Sequence, residues 1–153
     1  MNLNRLAACI ATVAGLAAAL PAAAQFQKPE DAIKYRQSAM ALQGNHLGRV
    51  FAMTSGGSPF DAKVAAEQIE LVALLNRLQF AAFTEGSDKG APTRAKPEVW
   101  TQKDKWSAAV AKSQEDVNKL AAAGKTGNAD QIKAAVGAVG QSCKGCHDDF
   151  RSR

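Results

Sequence analysis

Histidine and cysteine are scarce in this chain of 153 residues, which has two of the first and three of the second. So few ligands argue against a structural zinc site, which takes four, and against a disulfide-stapled scaffold. Beyond the N-terminal region there is no unbroken run of about 20 apolar residues, so no membrane-spanning helix is expected. No segment alternates apolar and polar residues as a half-buried strand would. There is no internal repeat, and no low-complexity tract outside an Ala-rich leader. The formal charge of +5 is too small and too scattered to indicate nucleic acid as a partner. With strands, spans and repeats set aside, helical spacing remains.

The first 24 residues read as a secretory signal peptide. Met1 to Arg5 carry one positive charge, Leu6 to Leu20 are apolar or small, and Ala22-Ala23-Ala24 fits an A-x-A cleavage site before Gln25. Leu6-Ala7-Ala8-Cys9 superficially resembles a lipoprotein site, but such a site follows the apolar region and this one precedes it. Cleavage leaves a mature domain of residues 25–153, removes Cys9 and lowers the formal charge by one. The two remaining cysteines lie close together near the C-terminus, so no structural disulfide is expected. A soluble protein of the bacterial periplasm is the expectation, without stable membrane insertion.

Four helices account for the mature chain. The first runs from about Pro29 to Ala52, opened by Pro and by Glu30 and Asp31 at its positive end. One face carries Ile33, Arg36, Met40, Gly44, Leu47 and Phe51. The second runs from about Asp61, an N-cap residue, to Ala82, with Val64, Leu71, Leu75 and Leu78 as its inner stripe. Thr84 to Lys96 reads as a loop. A turn at Pro97-Glu98-Val99-Trp100 leads into a third helix near Thr101 to Ala123, ended by Gly124, with Trp106, Val110, Val117 and Leu120 at helical spacing. The fourth starts near Asn128 and continues through Ile132, Val136, Gly140, Cys143 and His147 to Phe150 or Arg151. Four such helices with short connections predict an all-α, antiparallel four-helix bundle, an architecture that builds cofactor sites between facing helices.

Cys143-Lys144-Gly145-Cys146-His147 reads as a covalent haem attachment site. Positions three and four apart share a helix face, so Cys143, Cys146 and His147 can address one flat ligand. Two thiols add across two vinyl groups, and the imidazole reaches the iron. A thioredoxin-like dithiol would sit at a helix N-terminus, not near the end of a helical pattern. Arg36 stands on an otherwise apolar stripe, which suggests an anionic partner. A haem propionate offers bidentate geometry, with solvent or a glutamate as the alternatives.

Beyond the motif, the mature chain resembles the cytochrome c′ family. The resemblance rests on Gln25-Phe26 with Lys28 through Gln37, on Ala81-Ala82-Phe83, on Pro97-Glu98-Val99-Trp100 and on the C-terminal haem motif followed by Arg151. It covers residues 25–153 and implies one haem c, attached through Cys143 and Cys146 with His147 as axial iron ligand and Arg151 one turn further along. It also implies that Arg36 and Gln37 lie beside the haem edge, that Phe80 lies near the distal pocket, and that Thr93, Arg94 and Glu98 approach the haem edge. Met40 matches the position facing the distal side of the iron. That position is usually apolar and unligated in the family, leaving a five-coordinate site for NO or CO, whereas low-spin relatives of the fold bind iron through a methionine. The first version implies gas binding with electron transfer, the second a six-coordinate electron carrier. A small redox protein as partner and a homodimer through the first two helices are further implications. Val50 and Val72 stand off the haem stripe as apolar residues that suit either a dimer seam or the core. His46, six residues after Met40, turns away from the Met40 face. A peroxidase would need a distal acid–base residue. With no distal His, Asp or Glu evident on the Met40 face, the protein is not expected to be an enzyme.

Overall fold

The structure, a computed structural model, describes residues 26–153. The leader, Cys9 and the cleavage point lie outside the described residues. Helix α1 spans Pro29–Thr54, α2 Ala62–Ala81, α3 Glu98–Thr101, α4 Lys103–Thr126 and α5 Ala129–Phe150. Each long helix starts where its local chemistry allows. Pro29 occupies the first turn of α1, where its missing N–H is not needed, and Glu30 and Asp31 follow. The Asp61 carboxylate accepts from the N–H groups of Lys63 (2.9 Å) and Val64 (3.0 Å) at the start of α2. The Asn128 side chain accepts from the Gln131 N–H (3.0 Å) at the start of α5.

The four long helices form an antiparallel bundle in which α1 packs mainly on α2, α4 mainly on α5, and α2 also on α4. Among the described residues the extended pairing is a lone bridge between Ala95 and Arg151. The core is a cluster of Val50, Met53, Ala65, Ile69, Val72, Val117, Leu120, Ile132, Val136 and Val139, against which Cys143 packs from one end. Each fully buried branched side chain contributes about 1.5–3 kcal/mol. Val50 and Val72 are completely buried and belong to this core, not to a dimer seam.

Three expectations need correction. The third long helix does not end at Gly124. It continues to Thr126 and stops at Gly127, whose φ of 65° is the left-handed C-terminal geometry that glycine takes without strain. Gly124 is a glycine because α4 and α2 approach closely there, and a Cβ would sit 3.0 Å from Ile69 Cδ1. The turn at Pro97 to Trp100 is a short helix, so five helices are described. The inner stripe expected for α2 is rotated from the observed one, and on α1 Phe51 leaves a face that otherwise holds: Ile33 and Arg36 are buried and Met40, Gly44 and Leu47 border a cavity. Phe51, Val64 and Leu71 are 59%, 41% and 39% exposed, while Ala39, Gln43, Asn76 and Gln79 point inward. Apolar residues occur on more than one face of these helices, and periodicity alone does not choose between them.

Candidate haem-binding site

One end of the bundle opens into a cavity of about 590 Å³, within the range of about 300–1,000 Å³ common for cofactor sites. Helix α5 contributes Cys143, Cys146, His147 and Phe150 to its lining, with Arg151 just beyond. Helix α1 contributes Arg36, Gln37, Met40, Gln43 and Leu47, while Phe80 comes from α2 and Thr93 and Arg94 from the connecting loop. Every residue expected near the haem therefore borders this space except Glu98, which starts α3 outside the lining. His46 is also elsewhere: its Nδ1 pairs with Gln68 Oε1 (2.8 Å) between α1 and α2.

The aromatic wall is continuous. Trp106 packs edge-on against Phe80 (5.9 Å between centroids) and Phe150 (5.1 Å) and lies 4.6 Å from Phe83. Trp106 thus combines packing with a place on the cavity wall. Phe83, Val99, Trp106, Phe150, Gln43, Gln79 and Ser113 were not anticipated as lining residues. Two of them left a legible signal: Gln43 stands three residues after Met40 and Ser113 seven after Trp106, both helical intervals.

Arg36 has neutral hydrogen-bond partners among the described residues. It is 2% exposed, and its guanidinium donates to neutral oxygens: the Ala82 carbonyl (3.2 Å), the Ser87 hydroxyl (2.7 Å), the Ser87 carbonyl (2.7 Å) and Thr93 Oγ1 (3.2 Å). It also lies 4.6 Å from the Phe83 ring centroid. Burial lowers its pKa to about 10, with Asp88 opposing the shift. Within the described residues, Arg36 anchors the loop and borders the cavity.

The thiols and the imidazole sit in a partly desolvated setting. Burial pushes the Cys146 thiol up to about 11, with Cys143 and Asp149 adding to the shift, and raises Cys143 through burial and then Asp116. The His147 imidazole is held below its usual value, first by burial and then by the Arg151 charge. Both cysteines are free, and a neutral imidazole is the form that ligates a metal. Among the described residues no group of three or more His, Cys, Asp or Glu side chains could hold a bare metal ion. Two free thiols and one imidazole on the wall of a mostly apolar cavity fit a covalently held porphyrin better than a bare ion.

These features define a class: a four-helix bundle built to carry haem inside one end. The family model described as Cytochrome C′ matches residues 31–151. Cytochrome c′ of Rubrivivax gelatinosus is 58% identical over 129 residues, covering 84% of this chain and 100% of that one. Its crystal structure superposes with a TM-score of 0.83. Cytochrome c′ of Alcaligenes xylosoxydans is 40% identical over 84% of this chain and 99% of its own. Solved structures of the Alcaligenes xylosoxidans protein include a carbon monoxide-bound variant and a nitric oxide complex of another variant, each with a TM-score of 0.79 at 40% identity over 84% of this chain, and over 100% and 99% of those chains respectively. The chain belongs to the cytochrome c′ family, and its cofactor is covalently attached haem c.

Proposed function

We propose that this is an exported periplasmic haem protein with an iron position open to NO and CO, one that also passes electrons. Haem supplies an iron that cycles between Fe(II) and Fe(III) and binds diatomic gases. Cys143 and Cys146 would hold it as thioethers, and His147 would be the axial ligand from α5. The observation that carries this reading is that one cavity is bordered by these three residues and by Met40 from α1. Arg36, Gln37, Phe80, Thr93, Arg94 and Arg151 would form the rest of the pocket. The CO and NO complexes of relatives support gas binding.

No described helix is long and apolar enough to cross a membrane, and residues 1–24 carry the features of a signal peptide. Residues 25–153 would then be the mature, exported domain. The cavity lining contains no Asp or Glu, so it lacks the carboxylate a peroxidase could use for proton transfer, and the protein is read as a carrier and binder. Leu42, Phe51, Val64, Leu71 and Leu74 expose between 39% and 59% of their surface on α1 and α2. That concentration of exposed apolar residues supports a homodimer through these helices, with a small redox protein as the electron partner.

The test is the absorption spectrum of the haem-loaded protein, ferric and ferrous, with and without CO, repeated for Met40→Ala. High-spin bands that respond to CO in both forms, with faster CO binding in the variant, are the expected result. Low-spin bands that become high-spin on substitution would make Met40 an iron ligand and the protein a six-coordinate electron carrier.

A further inference from the structure

Two side chains on the cavity wall carry polar atoms with nothing to bond. Gln43 on α1 is 5% exposed and Gln79 on α2 is 4% exposed, and both line the cavity. Gln43 Nε2 and Gln79 Oε1 have no hydrogen-bond partner among the described residues. Each amide carries a donor end and an acceptor end, so either side chain can present an N–H according to how it is turned. Ser113 of α4, 4% exposed, lines the same wall, and its hydroxyl accepts from Asn76 Nδ2 (3.0 Å). Buried polar groups are rarely left unpaired; these two atoms are themselves covered, but they belong to side chains that line the cavity, where a small turn of the amide brings a polar end to whatever enters. Apolar side chains would have filled this wall without that penalty.

All three residues come from α1, α2 and α4, whereas the haem attachment motif is on α5. Gln43 follows Met40 by three residues on the same face of α1, and both border the cavity. We infer that Gln43 and Gln79, with Ser113 beside them, form a hydrogen-bonding subsite in the haem cavity for the polar end of a small iron ligand. The ligand class is anions and polarised diatomics, for which cyanide is the working probe. A purely apolar pocket discriminates against such ligands because they lose water without replacement. Here an amide N–H meets the charge on the outer atom of the ligand, while CO, barely polar, gains little. The inference rests on the open iron position proposed above.

The test compares cyanide binding to the ferric haem-loaded protein with CO binding to the ferrous form, and records the C–O stretch of the CO complex. Gln43→Leu and Gln79→Leu are the primary variants, and Gln43→Met is a second choice if Leu impairs folding. The ratio of cyanide to CO affinity is expected to fall about tenfold, equivalent to about 1.4 kcal/mol, and the C–O stretch to rise as the donor is lost. An unchanged ratio with an unmoved stretch overturns the subsite, as does an equal change in both affinities, which would mark a packing effect. If the parent protein does not bind CO, the open-site reading fails. The same comparison is then made in a Met40→Ala background, where the Gln43 and Gln79 differences still decide the subsite.

Discussion

Replacing Arg36 by Met should destabilise the protein by about 3 kcal/mol, and the structure shows where the loss arises. The substitution withdraws four hydrogen bonds at once. Two of the acceptors keep other partners, because the Ser87 hydroxyl still donates to the Thr84 carbonyl (2.7 Å) and Thr93 Oγ1 still accepts from the Ala95 N–H (3.2 Å). The Ala82 and Ser87 carbonyls lose the guanidinium, and both residues are fully buried. Two orphaned acceptors at about 1–3 kcal/mol each give about 2–6 kcal/mol, and water entering the loop brings the figure toward the lower half. Arg36→Lys should lose about 2 kcal/mol, since an ammonium lacks the planar fork and the stacking over Phe83. Charge is retained in the parent at neutral pH, since even the lowered pKa is about 10. The sign of the linkage follows: a base whose folded pKa lies below its unfolded one opposes folding while charged, so its contribution to stability rises as the pH passes about 10. Urea unfolding of haem-loaded protein measures the loss, and amide exchange across residues 84–96 locates it. A loss under about 1 kcal/mol for Arg36→Met, or a larger loss without faster exchange in that loop, would refute the reasoning.

Glycine substitutions should separate packing from propensity within the bundle. Gly137→Ala on α5 places its Cβ in open space and should stabilise the protein by about 1 kcal/mol, whereas Gly124→Ala presses on Ile69 and should destabilise it by about 1 kcal/mol net; thermal melts of both check the opposite signs. Phe51→Lys or Leu71→Lys should convert a dimer to a monomer in sedimentation at micromolar concentration, and a parent protein that already sediments as a monomer refutes the dimer. Lys119 holds the Glu115 carboxylate below the usual range, so its stabilising contribution is present at neutral pH and disappears as the pH falls through the lowered value. Glu115→Gln should therefore differ from the parent in melting temperature at pH 7, converge with it in acid, and lose the difference in high salt because the pair is exposed.

The helices and their starts were legible because their signals are local. Pro29, Asp61 and Asn128 act within three residues of themselves, and the Gly-rich segments interrupt helical spacing wherever they fall. Rotation was harder to read, since the inward face of α2 includes Asn76 and Gln79 while Leu71 and Leu74 face outward. A hydrophobic pattern cannot predict that a bundle will bury amides beside a cavity and leave leucines outside. Arg36 shows the same limit. Its burial is implied by the stripe it stands on, but its partners come from residues 46 to 57 positions later, in a loop whose path no periodicity encodes. Cys143, Cys146 and His147 were legible as a motif because haem attachment demands a fixed spacing along one helix.

The connection between α2 and α3 does more than join them. On one side it is held by α1, through Arg36 and through Gln37 Nε2 donating to the Pro92 carbonyl (2.9 Å). Gly90 has a φ of 108°, a conformation that residues with a side chain rarely adopt, and a Cβ there would lie 3.3 Å from Pro29 Cβ at the start of α1. On the other side the loop is bonded to the end of α5. The Lys96 N–H donates to the Phe150 carbonyl (2.9 Å), the Ser152 N–H to the Arg94 carbonyl (2.8 Å), and Lys96 Nζ to the carbonyls of Asp148 (3.0 Å) and Asp149 (2.9 Å). A cation on the last carbonyls of α5 satisfies acceptors that the helix leaves open. Helices α1 and α5 touch directly, but α1 packs mainly on α2 and α5 mainly on α4, so this strap adds a second tie between the helix bearing Met40 and the helix bearing His147. Loosening the Arg36 anchor should therefore change ligand binding as well as stability. Faster CO association in Arg36→Lys than in the parent, with Met40 intact, is the expected sign of that coupling; identical rates would mean the helices hold the cavity open by their own packing.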